Sequence, residues 1–320
     1  MGGGQSQETN PFGPDGWTPD RLGSLAGKTY VITGTTTGCG YEAAKLLLSK
    51  GAQVLMLNRS AERSGQVMEK YRKEIGPDVQ VSAITMDLAV LSSVREAAKA
   101  VLAQVPKIDA LICNAAIAQV STQKLTVDGF ESQLGVNHFA HFLLCGLLYE
   151  RVEKSNGRIV VVGSNGYNMG LRKMNFDDLN FDRGYQDFPV YCQSKLAQMI
   201  FGYELQRRVR AAGKNLQVQV CHPGASRTEL AKDDDVSCMM QTMLTLFSPL
   251  GQSAEHGSWP EVMCATEDNL LPETYYGPTQ RMEMVGPVGK CKLEPHALDA
   301  EAAKKLWTIS EEKTGLKWSP

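Results

Sequence analysis

The chain has 320 residues, of which 42% are hydrophobic and 21% are charged, and its formal net charge at pH 7 is −2. A chain of this length and composition can fold around a full hydrophobic core, and its balanced charge excludes the basic excess typical of nucleic-acid-binding proteins. No apolar run approaches the roughly 20 residues of a membrane-spanning helix, and the eight cysteines stand singly, without the spacing of a zinc site or a disulfide scaffold. We therefore expect a cytoplasmic protein with reduced thiols and no metal centre.

The first 26 residues are rich in glycine, proline and polar residues, a composition typical of a flexible tail. They begin Met-Gly-Gly-Gly-Gln-Ser, which fits the short pattern for myristoylation of Gly2. A glycine-rich tail is the simpler interpretation, and peripheral membrane attachment through Gly2 stays open as the alternative. We place a single folded domain in residues 27–320.

From Lys28 onward, short apolar runs alternate with stretches of helical periodicity. The apolar runs are continuous, which is typical of strands buried on both faces. Repeated strand–helix units with right-handed crossovers predict an α/β fold with a doubly wound parallel sheet. The predicted strands are Thr29–Thr33, Gln53–Asn58, Val79–Asp87, Ile108–Asn114, Arg158–Ser164 and Leu216–His222, and the predicted helices are Tyr41–Lys50, a stretch after Ser60, Ser92–Gln104, about 127–154 and Pro189–Ala211.

Residues 225–285 interrupt this alternation with an apolar helical stripe in Ser237–Phe247 and a long irregular stretch rich in proline and glycine. Loops above strand ends commonly carry substrate selection, so we expect an irregular lid here. The stripe is either an adaptable apolar wall or a helix packed on the core. The sheet is predicted to resume near Met282–Val285, and a closing helix over Leu298–Thr314 to end at Gly315. The stripe contains Met239, Met240, Met243, Leu244 and Phe247.

A glycine-rich segment lies between the first predicted strand and the first predicted helix, with the spacing G-x-x-x-G-x-G. A helix N-terminus offers free N–H groups and a partial positive charge to a pyrophosphate, and glycines let the backbone approach the anion. The flanking strand and helix favour a dinucleotide-binding loop over a plain glycine turn. Cofactor contacts are predicted at Gly34, Thr36, Thr37, Gly38, Cys39 and Gly40.

The second predicted strand ends in Asn58-Arg59-Ser60, without the acidic residue that NAD-binding proteins of this fold use to hold the ribose hydroxyls. Arg59 instead offers a guanidinium group that suits the 2′-phosphate of NADP, although a solvated surface arginine is the plain alternative. Asp87 and Leu88, at the end of the third predicted strand, would flank the adenine. NADP(H) is therefore the predicted cofactor.

Four polar residues form a candidate catalytic set. Tyr191 and Lys195 are four positions apart on a predicted helix and therefore share one face. An ammonium and an oxidised nicotinamide nearby both favour a phenolate, so Tyr191 is predicted to be the general acid and base. Ser164, at the end of the fifth predicted strand, would hold the substrate oxygen, and Asn137 would anchor a proton-carrying water beside Lys195. A lone Tyr–Lys pair is more typical of an amphipathic helix with a snorkelling lysine, and the complete ordered set is what favours catalysis.

The order and spacing of these motifs resemble the short-chain dehydrogenase/reductase family from about Lys28 to Leu230. The resemblance implies a Rossmann fold, a nicotinamide cofactor and a catalytic tetrad made of the four residues above. One departure is Ala116, where the family commonly has glycine. The motifs are TGTTTGCG at 33–40, CNAA at 113–116, Asn137, Ser164, YCQSK at 191–195 and HPG at 222–224. The resemblance also implies cofactor contacts at Asn114, Ala115, Tyr191, Lys195, Pro223, Gly224 and Thr228.

Two branches of the family compete. Residues 175–205 resemble retinol dehydrogenases, which act on lipophilic alcohols and aldehydes, whereas residues 128–144 and 299–316 also resemble light-dependent protochlorophyllide reductase, which reduces a C=C bond in a pigment. The short segment between Ser164 and Tyr191 favours the dehydrogenase, as does the absence of a cysteine after the Pro-Gly pair.

A non-catalytic NADP sensor is the remaining alternative, and the complete tetrad disfavours it. The expected partner is a small lipophilic substrate. The family resemblance also implies a homodimer as one oligomeric state, paired through the helices around 130–150 and 191–210.

Overall fold

The structure, a computed structural model, describes residues 10–226 and 251–320. Its strands are β1 Thr29–Thr33, β2 Gln53–Asn58, β3 Val81–Thr85, β4 Ala110–Cys113, β5 Arg158–Val162, β6 Gln217–Cys221, β7 Tyr275–Gln280 and β8 Val285–Cys291. They form one eight-stranded sheet in the order β3-β2-β1-β4-β5-β6-β7-β8. Strands β1 to β7 pair in parallel, and β8 pairs antiparallel with β7 at one edge.

Helices cover both faces of this sheet, which confirms the predicted doubly wound α/β fold. They are α1 Gly38–Ser49, α2 Ala61–Glu74, α3 Leu91–Gln104, α4 Ser132–Leu134, α5 Ala140–Lys154, α6 Asp187–Ala211, α7 Ala254–Thr266 and α8 Ala300–Thr314, with a π-helical segment Gly135–Phe139 between α4 and α5. One hydrophobic cluster joins the sheet to α3, α5, α6 and α8, and a second joins it to α1, α2 and α7.

From β1 the chain adds β2 and β3 on one side of the sheet, and then adds β4 to β8 on the other side. The order therefore reverses between β1 and β4, which are neighbours in the sheet. Every residue of β1, β4 and β5 is buried, as their continuous apolar sequences predicted. Loops that leave neighbouring parallel strands at such a switch point diverge to opposite faces and open a crevice at the carboxyl edge. The glycine-rich segment after β1 and Asn114 after β4 border this crevice.

The stretch predicted to be irregular after Gly251 contains helix α7, so that prediction was wrong here. Ser253 caps the helix by accepting a hydrogen bond from the backbone N–H of His256 at 3.1 Å, and Pro260 lies inside it. Val262 and Met263 are fully buried against the sheet. The burial of this apolar face outweighs the local cost of the proline.

Residues 10–26 were expected to belong to a flexible tail, but they pack against the domain. Trp17 is fully buried, its backbone N–H donates to the carbonyl of Val288 at 3.0 Å, and its indole N–H donates to Glu267 at 3.1 Å. The buried indole ring of Trp17, whose N–H is hydrogen-bonded, thus holds this segment against the domain even though it is rich in glycine and proline. Residues 1–9, including Gly2, lie outside the described residues.

The closing helix was predicted correctly: α8 is capped by Asp299 and ends at Gly315, which adopts a φ of +63°. The sheet was predicted to resume near Met282–Val285. In the structure, Met282 lies instead in the turn of an antiparallel hairpin formed by β7 and β8, so the predicted strand was too short. None of the described helices is both long and apolar enough to cross a membrane.

Candidate active site

The glycine-rich loop between β1 and α1 is pressed against the chain that follows β4. Gly34 has a φ of +73°, and a Cβ atom placed on it would lie 2.8 Å from the Cβ of Ala115. A Cβ on Gly40 would lie 2.3 Å from the side-chain nitrogen of Asn114. Only glycine fits at these two positions, so the backbone itself lines the crevice where an anion would bind.

Asn114 fixes the geometry of this loop. Its side-chain N–H groups donate to the carbonyls of Thr33 at 2.9 Å and Gly34 at 3.0 Å, while the backbone N–H of Ala115 donates to the Thr33 hydroxyl at 2.9 Å. The structure thus brings Gly34, Asn114 and Ala115 together, three of the residues predicted to contact the cofactor.

The remaining loop residues differ in exposure. Thr37 is exposed at the start of α1, and its side chain makes no capping bond, so its hydroxyl is available to a phosphate. Thr36 is half-buried and Gly38 has a φ of +64°. Burial raises the pKa of Cys39 to about 12, so its thiol is neutral and compatible with an anion nearby.

Asn58 was not predicted as a site residue, yet it holds the loop from the other side. It is 4% exposed, and its side-chain oxygen accepts a hydrogen bond from the backbone N–H of Thr35 at 2.8 Å. Its nitrogen donates to the hydroxyls of Thr35 at 2.9 Å and Ser64 at 3.1 Å. A polar residue that ends an otherwise apolar buried strand was the available signal, because buried polar groups need partners. Asn58 turns inward, and its neighbour Arg59 is exposed at the same edge.

Asp87 and Leu88 follow β3 at this carboxyl edge. Asp87 is half-buried, one of its carboxylate oxygens accepts from the backbone N–H of Ala89 at 2.9 Å, and its own N–H donates to Ser93 at 2.9 Å. Leu88 is 9% exposed. Because β3 is adjacent to β2, both residues lie on the same edge as Arg59.

Ser164 and Tyr191 meet at the centre of the crevice. A Cβ atom on Gly166 would lie 3.1 Å from the Tyr191 ring and 3.3 Å from the Ser164 hydroxyl oxygen, so the two side chains lie next to each other. Burial raises the pKa of Tyr191 to about 12, so the phenol is protonated at neutral pH.

Lys195 lies one helical turn beyond Tyr191, as the spacing predicted. Its ammonium nitrogen is 6.0 Å from the centre of the Tyr191 ring and donates to the carbonyl of Val162 at 3.3 Å. The residue is 3% exposed, and burial lowers its pKa to about 7. A lysine nitrogen has three donors, so this single contact in the described structure leaves donor capacity for a ligand.

Asn137 lies in the π-helical segment, and its side chain is engaged by protein groups. Its oxygen accepts from the backbone N–H of Ile117, and its nitrogen donates to the carbonyl of Ile117 and to the hydroxyl of Ser194, all at 2.9 Å. Ser194 in turn donates to the carbonyl of Tyr191 at 2.7 Å. Asn137 therefore connects the chain after β4 to helix α6, which carries Tyr191. Both of its side-chain N–H groups are used in these bonds, so neither is left for the predicted proton-carrying water.

His141 was assigned no function from the sequence, but the structure places it in the same network. Its Nδ1 lies 3.1 Å from the carbonyl of Asn137 and its Nε2 lies 3.0 Å from the hydroxyl of Thr33. Burial, with a smaller contribution from the charge of Lys195, lowers its pKa to about 4. A neutral imidazole that donates through Nδ1 and accepts through Nε2 satisfies both contacts. A histidine one turn after Asn137 in an apolar helix was the only signal.

Pro223 and Gly224 follow β6 on the opposite wall. Gly224 has a φ of +64°, and a Cβ atom on it would lie 2.4 Å from the carbonyl oxygen of Met284. The backbone N–H of Gly224 donates to Nδ1 of His222 at 3.2 Å. Thr228 and the apolar stripe Ser237–Phe247 lie outside the described residues.

His222, Glu283 and Cys291 place their potential ligand atoms within 4.8 Å of one another. The bond from Gly224 occupies Nδ1 of His222, so Nε2 carries the proton and donates towards the Cys291 sulfur at 3.3 Å. That tautomer leaves the imidazole no free lone pair for a metal, which argues against a metal site at this cluster.

A cavity of about 580 Å³ lies elsewhere, between α6 and α8, and includes Ile200 and Lys305 among its lining residues. Ile200 is nine positions after Tyr191, and residues nine apart on an α-helix point about 180° apart. The Ile200 side of α6 that borders the cavity therefore faces away from Tyr191.

The profile of the family described as short chain dehydrogenase matches residues 28–176. Human retinol dehydrogenase 14 is 37% identical over 310 residues, which cover 92% of this chain and 88% of that protein. The chain belongs to the short-chain dehydrogenase/reductase family. Human retinol dehydrogenase 12, at 34% identity over 297 residues and the same coverage, is a second relative. The resemblance of this short-chain dehydrogenase/reductase to the retinol-dehydrogenase-like branch is thereby confirmed.

Solved structures agree with this assignment. An uncharacterised protein from Mycobacterium paratuberculosis has a TM-score of 0.77 and 34% identity, covering 95% of this chain and all of that one. A short-chain dehydrogenase from Sphingobium yanoikuyae in complex with NADPH has a TM-score of 0.57 and 22% identity, covering 74% and 83% of the two chains. The latter likeness shows the fold alone.

Proposed function

We propose that this short-chain dehydrogenase/reductase transfers a hydride between NADP(H) and a lipophilic alcohol or carbonyl compound, with Tyr191 as the general acid and base. The observation that carries the proposal is the position of the Ser164 hydroxyl next to the Tyr191 ring, with Lys195 one helical turn away and the glycine-rich loop at the same edge of the sheet. The retinol dehydrogenases among its relatives support a lipophilic alcohol or aldehyde as substrate.

The residues present fit a dinucleotide. Gly34 and Gly40 leave a backbone cradle that side chains would fill, and Thr37 is free at the N-terminus of α1. Lys195 keeps unused donors for ribose hydroxyls, and the exposed Arg59 suits a 2′-phosphate. Bound there, the nicotinamide supplies the hydride donor or acceptor. Structural neighbours complexed with NADPH or NADP agree with this choice of cofactor.

The protein's own groups handle the proton. Tyr191 is protonated at neutral pH, and burial raises its pKa further to about 12, so it can donate its proton to a carbonyl oxygen during reduction. Ser164 can donate a hydrogen bond to the same oxygen and hold it against the phenol. The positive charge of an oxidised nicotinamide would favour the phenolate form of Tyr191. That form is the one that accepts a proton during alcohol oxidation.

The test is Tyr191→Phe, assayed with NADPH and a panel of lipophilic aldehydes that includes retinal. We expect turnover to fall by about 10²- to 10⁴-fold, the usual contribution of a general acid, while the Kd for NADPH changes little. Tyr203→Phe is the matched control, because Tyr203 lies on the same helix with a buried hydroxyl that has no hydrogen-bond partner.

Turnover that survives Tyr191→Phe would contradict the mechanism. Binding of NADPH without turnover of any substrate in the unmodified protein would favour a sensor instead. Activity that appears only under illumination would favour reduction of a pigment.

A further inference from the structure

The turn between β7 and β8 has an unusual backbone. Arg281, Met282 and Glu283 have φ values of +48°, +57° and +62°, so three consecutive residues other than glycine are left-handed. Side chains with a Cβ atom rarely adopt this conformation, and it persists only where surrounding contacts impose it. We call the segment 281–284 the hairpin turn.

Contacts on both sides hold the hairpin turn in place. On one side, the Glu283 carboxylate accepts from the backbone N–H of Lys292 at 2.6 Å and from the side chain of Asn165 at 3.4 Å. On the other side, the carbonyl of Met284 accepts from the backbone N–H of Ala225 at 2.8 Å. Asn165 directly follows Ser164, and Ala225 directly follows Gly224. The hairpin turn therefore contacts both the segment that follows β5, next to Ser164, and the segment that follows β6, next to Gly224.

The hairpin turn also carries exposed apolar side chains close to these contacts. Met282 is 83% exposed and Met284 is 38% exposed. On the Ser164 wall, Met169 and Leu171 are also exposed, and they flank Gly170, where a Cβ atom would lie 2.7 Å from the Cβ of Cys192, next to Tyr191. Four of the eight large hydrophobic side chains that are exposed in the described residues thus come from two segments that contact the immediate chain neighbours of Ser164 and Tyr191. Apolar groups concentrated at one opening are typical of a ligand-binding edge.

We propose that Met282 and Met284 are specificity-determining residues that contact the apolar chain of the substrate. This inference rests on the proposed function and refines its substrate class to carbonyl compounds or alcohols with an extended apolar chain. Methionine side chains are flexible and polarisable, so they adapt to chains of different shape. Glu283 is a positioning residue, because its two hydrogen bonds keep the turn against Asn165 and Lys292.

The experiment compares decanal with butanal as substrates, with NADPH as cofactor. In the double variant Met282→Ser with Met284→Ser, we expect KM for decanal to rise about tenfold or more, because burying a methionine side chain favours binding to that extent. KM for butanal and kcat for both aldehydes should change less than about twofold, because the reacting atoms lie beyond the turn. The double variant Met282→Leu with Met284→Leu retains apolar contact and should keep KM for decanal close to that of the unmodified enzyme.

Leu271→Ser is the matched control, because Leu271 is 48% exposed and precedes the opposite end of β7. It should change neither KM. Equal changes in KM for both aldehydes in the double serine variant, or no change for either, would overturn the proposal. If the unmodified protein turns over neither aldehyde, the proposed function fails for this substrate class. If the unmodified protein is active but the double serine variant has the same KM values, only the role of the hairpin turn fails.

Discussion

Two adjacent residues, Asn58 and Arg59, face opposite ways at the end of β2, and this arrangement sets the cofactor preference that we expect. Asn58 is buried and holds Thr35, so it offers no group to the ribose. Arg59 is exposed, and no ion pair to it occurs among the described residues. A guanidinium bound to a 2′-phosphate makes charge-assisted hydrogen bonds, each worth roughly 1.5–3 kcal/mol.

Arg59→Ala should therefore weaken NADPH binding by about 10- to 100-fold and leave the Kd for NADH within about twofold. Fluorescence titration of each nucleotide measures both constants. Arg72→Ala is the control, because Arg72 lies near the other end of α2 and pairs with Glu69 at 2.5 Å. Equal losses for NADPH and NADH would refute a contact with the 2′-phosphate.

The sequence located some site residues far better than others. Tyr191 and Lys195 were predictable because both lie on one helix, and helical geometry alone fixes their relation. Asn58 and His141 were missed because their partners are distant in sequence: Thr35 is 23 positions from Asn58, and Thr33 is 108 positions from His141. Whether such a polar side chain is buried and which group it binds depend on tertiary contacts. A local sequence pattern does not reveal those contacts.

At the scale of elements, α7 shows where local signals mislead. Gly257 and Pro260 lower its helix propensity, so the sequence favoured an irregular stretch. In the structure, Gly257 is required for close packing, since a Cβ atom there would lie 2.8 Å from the sulfur of Cys39. Gly257, which weakens the helix locally, thus allows it to approach α1 closely.

Helix α7 also buries Glu261, which predicts how stability depends on pH. Glu261 is 1% exposed, neither of its carboxyl oxygens has a hydrogen-bond partner, and burial raises its pKa from 4.5 to about 8. Between these two pH values the unfolded chain releases the proton more readily than the folded protein. Glu261 therefore lowers the free energy of unfolding progressively as pH rises from about 4.5 to about 8.

Glu261→Gln removes this titration. We compare the free energy of unfolding of the variant with that of the unmodified protein at each pH. The difference should shift in favour of the variant as pH rises across this window, by an amount on the order of a few kcal/mol. Urea unfolding at pH 5, 6.5 and 8 measures the trend, and Glu255→Gln, an exposed position in the first turn of α7, is the control. A constant difference between variant and unmodified protein at all three pH values would contradict the prediction.

At the scale of the whole molecule, the parallel sheet was predictable because β1, β2, β4 and β5 each carry a continuous apolar run and helical stretches separate the first six strands. The antiparallel edge strand β8 was not, since its sequence, VGPVGKC, contains glycines and a proline and is only partly buried. The packing of Trp17 on Val288 was equally hidden, because it joins opposite ends of the chain. Both features depend on pairing between distant segments, for which the sequence carries no local period.

The C-terminal helix bears on the oligomeric state. A homodimer was considered through the helices around 130–150 and 191–210, which correspond to α5 and α6. In the structure, α8 packs against both of these helices. The Trp307 ring lies 5.1 Å from that of Phe142 on α5 and 6.1 Å from that of Phe201 on α6, and Trp318 lies 5.5 Å from Phe142. A Cβ atom on Gly146 of α5 would lie 2.9 Å from the Trp318 indole.

The chain's own C-terminus thus covers apolar surface that a partner would otherwise bury, so we expect a monomer of 35.0 kDa at micromolar concentration. Trp318→Ala should uncover part of α5, lower the free energy of unfolding by about 2 kcal/mol and promote association at higher concentration. Light scattering coupled to size-exclusion chromatography measures the mass of each form. A stable dimer of the unmodified protein would show that another face mediates pairing, whereas a Trp318→Ala variant as stable and monomeric as the unmodified protein would show that this cover is dispensable.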